Sequence, residues 1–180
     1  GPGTGMGTGT TSSGTSAAPP RGRRDPDGSH LLVLARGPEG YRRLSRAIGE
    51  ALLASGTKGV AAYDLADLAA RAGGPNGGEW LVLTGCRKGT VRRALEPVHG
   101  GSPATWDVAA ARRELDRLVA LFVADNVAVE VTDLGHPLDA TRNDVLAELA
   151  RAARLPLVAT GNVHAARPGD QPVADVLAAT

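Results

Sequence analysis

The sequence has 180 residues and a mass of 18.3 kDa, which suits one domain and leaves little room for two. Hydrophobic residues make up 42% and charged residues 22% of the chain, so it is neither disordered throughout nor membranous. The formal net charge is +1, and it comes from the segment before His30, so residues 30–180 are about neutral. This balance argues against a protein whose overall basic charge binds nucleic acid.

Residues 1–29 have the composition of a flexible lead-in. Of these residues, 21 are Gly, Thr, Pro or Ser, and the segment cannot bury enough apolar surface to offset the entropy of ordering it. No apolar run approaches the roughly 20 residues of a membrane helix, and no export signal is visible. The single cysteine, Cys86, excludes an internal disulfide and a zinc site built from several cysteines. We therefore expect a soluble protein of the reducing cytoplasm, with its folded part at residues 30–180.

Four short apolar runs predict four β-strands, at residues 31–35, 80–84, 127–131 and 156–160. Each run is continuous rather than alternating, which is typical of parallel strands buried on both faces. Helical patterns stand between the runs, and parallel neighbours must be joined by crossover helices. The pattern therefore predicts an α/β fold with parallel strands and outer helices, either a small open sheet or part of a barrel.

The helical patterns are amphipathic. The first predicts an apolar face made of Tyr41, Leu44, Ile48 and Leu52, and Asp64 is expected to cap the second helix. Further helices are predicted at about residues 90–95, 106–122 and 139–153.

Polar residues that could hold a metal ion follow the predicted strands, where parallel α/β folds gather their ligands. Cys86 follows the second strand, Glu130 and Asp133 stand at the end of the third, and Asn162 and His164 follow the fourth. Thiolate, carboxylate and imidazole converging on one rim would suit zinc or manganese. The alternative is structural, since strand ends of any α/β protein carry some polar residue and a lone histidine is more often hydrogen-bonded than ligating.

The remaining polar residues do not establish a chemistry. Three histidines, at positions 30, 99 and 136, are expected in solvated loops. Four basic residues after the second strand could meet phosphate or form a solvated helix face (Arg87, Lys88, Arg92 and Arg93). The sequence has no Ser-His-Asp order, no phosphate-binding Walker motif and no close aspartate pair suited to two-metal nucleotidyl transfer.

Four segments, at residues 30–44, 80–89, 129–138 and 155–164, resemble in the correct order the polymerase-and-histidinol-phosphatase (PHP) domain of bacterial replicative-type DNA polymerases. The run Thr-Gly-Cys-Arg-Lys-Gly at 84–89 and the turn Gly-His-Pro-Leu-Asp at 135–139 are most similar to the error-prone paralogue of the polymerase III alpha subunit. The resemblance covers about residues 25–180. It implies a distorted, TIM-like β/α barrel of which residues 30–180 are the C-terminal part, so that the chain is an internal fragment.

The resemblance also implies what the parent enzyme does. The parent would be a DNA-directed DNA polymerase of damage-tolerant synthesis and DNA repair, with magnesium held by carboxylates downstream of this sequence. Its implied partners are DNA, the sliding clamp and a companion translesion protein, with no membrane. Two alternatives stay open: a stand-alone PHP-family metal-dependent phosphoesterase, and a non-catalytic interaction module.

For the metal site, the resemblance implies a degenerate set of ligands. The late Asp-x-His motif of the family stands here as Asn162-Val163-His164, and an amide oxygen is a weaker ligand than a carboxylate. Glu130 and Cys86 align near the site, so His164, Glu130 and Cys86 are the candidate ligands for zinc or manganese. Because the family's early His-x-His pair has no counterpart here, we expect no stoichiometric metal and no phosphatase activity. Because the polymerase carboxylates lie downstream, we also expect no nucleotide incorporation.

Overall fold

The computed structural model describes residues 28–57, 61–73, 78–98, 101–161, 163, 166–170, 172–173 and 176. The predicted lead-in lies outside these ranges except for Gly28 and Ser29. The chain divides into two units, and one of them, Gly28–Val163, carries the strands. In the other unit, Pro168–Asp170 form a 3₁₀ turn.

The described part of the Gly28–Val163 unit contains the four strands and five helices that the sequence predicts. Strands β1 to β4 are Leu32–Ala35, Trp80–Leu83, Val127–Thr132 and Leu157–Thr160. Helices α1 to α5 are Gly37–Ser55, Leu65–Arg71, Thr90–Leu95, Val108–Phe122 and Asp139–Ala153. Short 3₁₀ turns at Pro103–Thr105 and Ala124–Asn126 precede α4 and β3.

Aspartate caps set the starts of two helices. The Asp64 carboxylate accepts the backbone N–H groups of Ala66 and Asp67, both at 2.9 Å, which confirms it as the cap of α2. The Asp107 carboxylate accepts the N–H of Ala110 at 2.7 Å. Helix α4 therefore begins two residues later than the sequence pattern predicts.

The four strands form one open, mostly parallel sheet in the order β1-β2-β3-β4. Strands β2, β3 and β4 are parallel, with Leu83 opposite Ala128 and Thr132 opposite Thr160. Strand β1 is antiparallel to β2, so the prediction of four parallel strands is wrong for β1. Two helices rather than one separate β1 from β2, and they return the chain to the end where β1 stops, since Ala35 lies opposite Trp80.

Helix α1 packs with a different face from the one its apolar pattern predicts. Gly40 and Ala47 are its buried residues, whereas three of the four predicted residues are 41–69% exposed (Tyr41, Ile48 and Leu52). The Trp80 indole N–H donates to the Gly40 carbonyl at 2.9 Å, and a Cβ at Gly40 would lie 2.2 Å from the Glu79 carbonyl oxygen. This close approach requires glycine and fixes the rotation of α1 on the sheet.

The hydrophobic core lies between the helices and one face of the sheet. Its largest fully buried side chains come from β2, β3, α3 and α4 (Trp80, Val82, Val91, Leu95, Leu115, Leu118, Phe122, Val127 and Val129). The edge strands β1 and β4 alternate between exposed and half-buried residues, so the prediction of burial on both faces is wrong for them. Because side chains alternate along a strand, Glu130 and Thr132 lie on the face of β3 that turns away from this core.

Candidate functional site

Glu130 is a buried carboxylate in the central strand β3, with 5% of its surface exposed. Its Oε1 accepts a hydrogen bond from the Thr160 hydroxyl on β4 at 2.5 Å. Its other oxygen, Oε2, is buried and has no hydrogen-bond partner among the described residues. A buried polar atom without a partner is costly, so Oε2 marks a position that a cation or a hydrogen-bond donor would stabilise.

Threonines surround Glu130 at the carboxyl ends of three strands. Thr84 follows β2, while Thr132 and Thr160 end β3 and β4. The Glu130 backbone N–H donates to the Thr84 hydroxyl at 2.9 Å, and Thr132 lies opposite Thr160 in the sheet. No motif in the sequence identified these threonines as site residues. Their signal was positional, because Thr84 and Thr160 close two of the predicted apolar runs.

Cys86 lies in the tight turn that follows Thr84, at the same edge of the sheet as Glu130. It is a half-buried free thiol, and its carbonyl accepts the Gly89 N–H at 2.7 Å. A Cβ at Gly89 would lie 2.0 Å from the Thr84 carbonyl oxygen, so the turn depends on glycine there. The structure thus places two of the three predicted ligands, Cys86 and Glu130, at one edge.

The antiparallel direction of β1 brings His30 to this edge as well. The His30 N–H donates to the Lys88 carbonyl at 2.9 Å, and His30 pairs with Gly89 in an isolated bridge. His30 is exposed, as expected, but it lies beside the turn that holds Cys86. No local signal in the sequence could have placed it there, since its position follows from the direction of a whole strand.

The remaining predicted residues are either exposed or outside the described residues. The Asp133 side chain is exposed and accepts the Gly135 N–H at 3.0 Å, which closes a local turn. Asn162 and His164 are outside the described ranges, as is His99, so the role of His164 stays a prediction. Across the described ranges, no three His, Cys, Asp or Glu side chains come close enough to hold a metal ion together.

A cluster of buried charges, separate from Glu130, lies where the β3–α5 loop meets α3. The Arg142 guanidinium binds the carboxylates of Glu96 and Asp139, and the three side chains are 9%, 7% and 3% exposed. Arg142 also lies over the Trp106 ring, 5.9 Å from its centroid. Arg92 lies 3.6 Å from Glu96 and is largely buried. The cluster thus contains two guanidiniums and two carboxylates.

Asp139 connects this cluster to the backbone of the β3–α5 loop. Its Oδ2 accepts the N–H groups of Leu134 at 2.8 Å and His136 at 3.1 Å. Burial acts to raise the pKa of Asp139, but these two N–H donors and the Arg142 guanidinium together hold the pKa below its usual value. Asp139 therefore remains ionised and fixes the loop that follows β3.

The basic residues after β2 do not form one phosphate-binding cluster. Burial lowers the pKa of Arg92, Arg142 lowers it further by repulsion, and the carboxylates of Glu96 and Asp139 oppose that shift. Arg93 instead donates to the Ser29 hydroxyl at 3.1 Å. Arg92 is thus part of the buried charge cluster rather than of a solvated face.

Within the described ranges, no helix has both the length and the apolar character needed to cross a membrane.

Comparison with known proteins relates the chain to one kind of enzyme, although no family model matches it. An error-prone DNA polymerase of Mycobacterium bovis is 50% identical over 157 residues, which are 87% of this chain and 13% of the relative. The error-prone DNA polymerases of Nocardia farcinica and Cutibacterium acnes are 49% and 51% identical over 164 and 147 residues. These matches cover 91% and 81% of this chain, and 14% and 12% of the relatives.

The chain is homologous to part of these polymerases. It spans about one eighth of their length. The predicted similarity to error-prone DNA polymerases is thereby confirmed.

Proposed function

We propose that residues 30–180 are the C-terminal part of a PHP domain within an error-prone DNA polymerase, and that this part supports the enzyme structurally. The identity of about 50% over most of the chain supports the assignment to such a polymerase. The parallel β2, β3 and β4 with helices on one face are compatible with a partial, distorted β/α barrel whose other strands belong to the rest of the parent.

The parent enzyme, in this proposal, adds nucleotides opposite damaged templates during DNA repair in the cytoplasm. DNA is its substrate, and magnesium at carboxylates outside this sequence supplies the polymerase chemistry. The sliding clamp and a companion translesion protein are its proposed partners. Because the polymerase carboxylates lie outside this sequence in this proposal, the contribution of residues 30–180 is to the fold of the parent.

The surroundings of the Glu130 carboxylate support a metal site in this part of the domain. Its buried Oε2 has no partner among the described residues, and its Oε1 is held by Thr160, as suits an oriented cation ligand. Glu130, Cys86 and His164 would hold zinc or manganese. Such an ion would polarise a phosphoester and activate a water molecule. Asn162 replaces a carboxylate in the family motif, so we propose that this site is degenerate and binds metal weakly.

Elemental analysis of the purified chain after dialysis tests the proposed state of the site. We expect well under one zinc or manganese per chain, because two or three ligands without the family's histidine pair hold an ion weakly. The matched variants are Glu130→Gln, which removes a proposed ligand, and Asp133→Asn, which removes an exposed carboxylate near the same edge. A tightly held ion that is lost in Glu130→Gln and His164→Ala, but kept in Asp133→Asn, would favour the metal-dependent phosphoesterase.

Primer extension tests whether the chain is catalytic as a polymerase on its own. We expect no nucleotide incorporation with either magnesium or manganese, because the carboxylates that bind the polymerase metal ions lie outside this sequence in this proposal. Robust extension by the purified chain would contradict the assignment. The open reading frame around the segment is a second test, since a start codon just before Gly1 and a stop codon just after Thr180 would overturn the polymerase proposal.

A further inference from the structure

An open groove of about 500 Å³ lies between α1 and α2, in a part of the molecule that the proposed function does not use. Its charged lining consists of four arginines and two glutamates (Glu39, Arg42, Arg43, Arg46, Glu50 and Arg71), and we call it the arginine groove. The five residues from α1 follow helical spacing, so they share one face of that helix.

Each glutamate of the arginine groove is shared between two arginines. Glu39 pairs with Arg42 and with the Arg43 Nε, the latter at 2.7 Å. Glu50 pairs with the Arg46 Nε at 2.6 Å and with Arg71 across the groove. The carboxylates thus orient the guanidiniums without neutralising all of them, and the charged lining has two more positive than negative groups.

Asp67 reduces this excess by one but lies outside the lining. It accepts from the Arg71 Nε at 2.7 Å, so with Asp67 included four guanidiniums face three carboxylates. The chain as a whole is nearly neutral, and this local excess is therefore invisible in its overall charge.

Arg42 and Arg46 are the two arginines most accessible to a ligand, with side chains 72% and 77% exposed. A guanidinium carries five N–H donors, so an exposed arginine that pairs with one carboxylate keeps donors for a further acceptor. Ion pairs of this exposed, intrahelical kind are weak and readily exchanged for a stronger partner. The planar fork of arginine matches the oxygens of phosphate, to which it binds through two hydrogen bonds.

The spacing of the two exposed arginines favours a strand over a single phosphate ion. Arg42 and Arg46 are four residues apart on α1, which corresponds to about 6 Å along the helix axis. Two successive phosphates of an extended nucleic-acid strand can therefore each meet one of these arginines, whereas one inorganic phosphate brings a single group to the pair. We propose that the arginine groove binds the phosphate backbone of single-stranded nucleic acid. This proposal does not rest on the polymerase assignment, because it depends on α1 and α2 alone.

Fluorescence anisotropy with a short labelled oligothymidylate tests the proposal on the full 180-residue chain. The variant Arg42→Gln/Arg46→Gln removes both exposed charges, keeps good helix formers, and leaves Arg43 and Arg71 to hold the glutamates. We expect Kd to weaken about tenfold at low salt. The slope of log K against log salt should fall by about 1.4, at about 0.7 for each phosphate that the variant no longer neutralises.

The matched control is Arg112→Gln/Arg117→Gln on α4, where each arginine has a carboxylate of its own. This control removes the same charge from another helix, and the arginines of residues 1–29 are present in all variants. We expect its Kd to stay within about twofold of the unchanged chain. An unchanged Kd in the groove variant, or an equal loss in the control, would overturn the proposal.

The variant Glu39→Gln/Glu50→Gln tests the sign of the effect. Neutralising both carboxylates raises the charge of the groove by two and should tighten oligothymidylate binding by about tenfold. If the ion pairs only join α1 to α2, this variant will lower Tm without tightening binding, which would contradict the proposal. Displacement of the oligonucleotide by low millimolar inorganic phosphate would identify the free ion as the ligand and overturn the assignment to a strand.

Discussion

The protein has two buried acidic centres, one at Glu96 and Asp139 and one at Glu130, and their surroundings differ. At the β3–α5 loop, the carboxylates of Glu96 and Asp139 are joined by the Arg142 guanidinium. In the middle of the sheet, Glu130 is equally buried but is held by the Thr160 hydroxyl, and its second oxygen has no partner among the described residues. Both centres hold buried polar atoms without a hydrogen-bond partner among the described residues, since Arg92 Nε and Trp106 Nε1 lack one in the first centre. The centres differ in charge, because guanidiniums balance the carboxylates of the first and no cation accompanies Glu130 among the described residues.

This difference separates a structural role from a candidate site. A cluster whose charges are balanced within the fold needs no further ion to neutralise it. A buried carboxylate that lacks a cationic partner is stabilised when a cation or a donor reaches it. Substitutions in each centre, measured by urea denaturation, test whether the two centres differ in this way.

Arg142→Met should produce the largest effect on stability. The change removes the guanidinium that the buried carboxylates of Glu96 and Asp139 share and the contact with the Trp106 ring, so we expect a loss of about 3–5 kcal/mol in the free energy of unfolding. Urea denaturation followed by circular dichroism measures it. Arg142→Lys keeps the positive charge but not the planar guanidinium, so it should lose less stability. Equal losses in the two variants would show that the charge is unimportant.

Removing a single carboxylate should distinguish the two centres directly. Glu96→Gln takes an acceptor from Arg142 and Arg92, and we expect it to cost about 2 kcal/mol. Glu130→Gln removes a charge that no cation accompanies among the described residues, and we expect a change within about 1 kcal/mol of zero. Equal losses in urea denaturation would erase the distinction between the centres.

Acid should weaken the neutralised centre through Asp139. Because its pKa in the folded state lies below its usual value, Asp139 contributes stability above the unfolded pKa of about 3.9, and this contribution is lost as the pH falls through the folded pKa. Asp139→Asn should therefore be less stable at neutral pH and less sensitive to acid. The measurement is the urea midpoint between about pH 2 and pH 7, and parallel curves for the two proteins would contradict the prediction.

Arg151→Gln should have the smallest effect and serves as the surface reference on α5. The Arg151–Glu148 pair is 76% and 68% exposed, so water and salt screen it. We expect the urea midpoint to be unchanged within the error of the measurement. A loss comparable to that of Arg142→Met would show that charge anywhere on α5 matters, rather than burial.

The sequence by itself determined the secondary structure of this protein. All four predicted strands and five predicted helices are present, because apolar runs, helical spacing and caps such as Asp64 act over a few neighbouring residues. It also indicated that Cys86 and Glu130 would lie at one edge of a sheet, since both stand at the carboxyl ends of strands that proved parallel. The similarity to error-prone DNA polymerases was likewise visible in ordered motifs.

Only the tertiary structure decided the features that depend on contacts between residues far apart in the sequence. The direction of β1, and with it the placement of His30, follows from how two helices return the chain to the sheet. The buried face of α1 was set by the contact of Gly40 with Glu79 and Trp80, against the apolar pattern of the helix itself. The environment of Glu130 depends on Thr160, thirty residues away. Such contacts are set by packing between elements, and a local pattern carries no information about them.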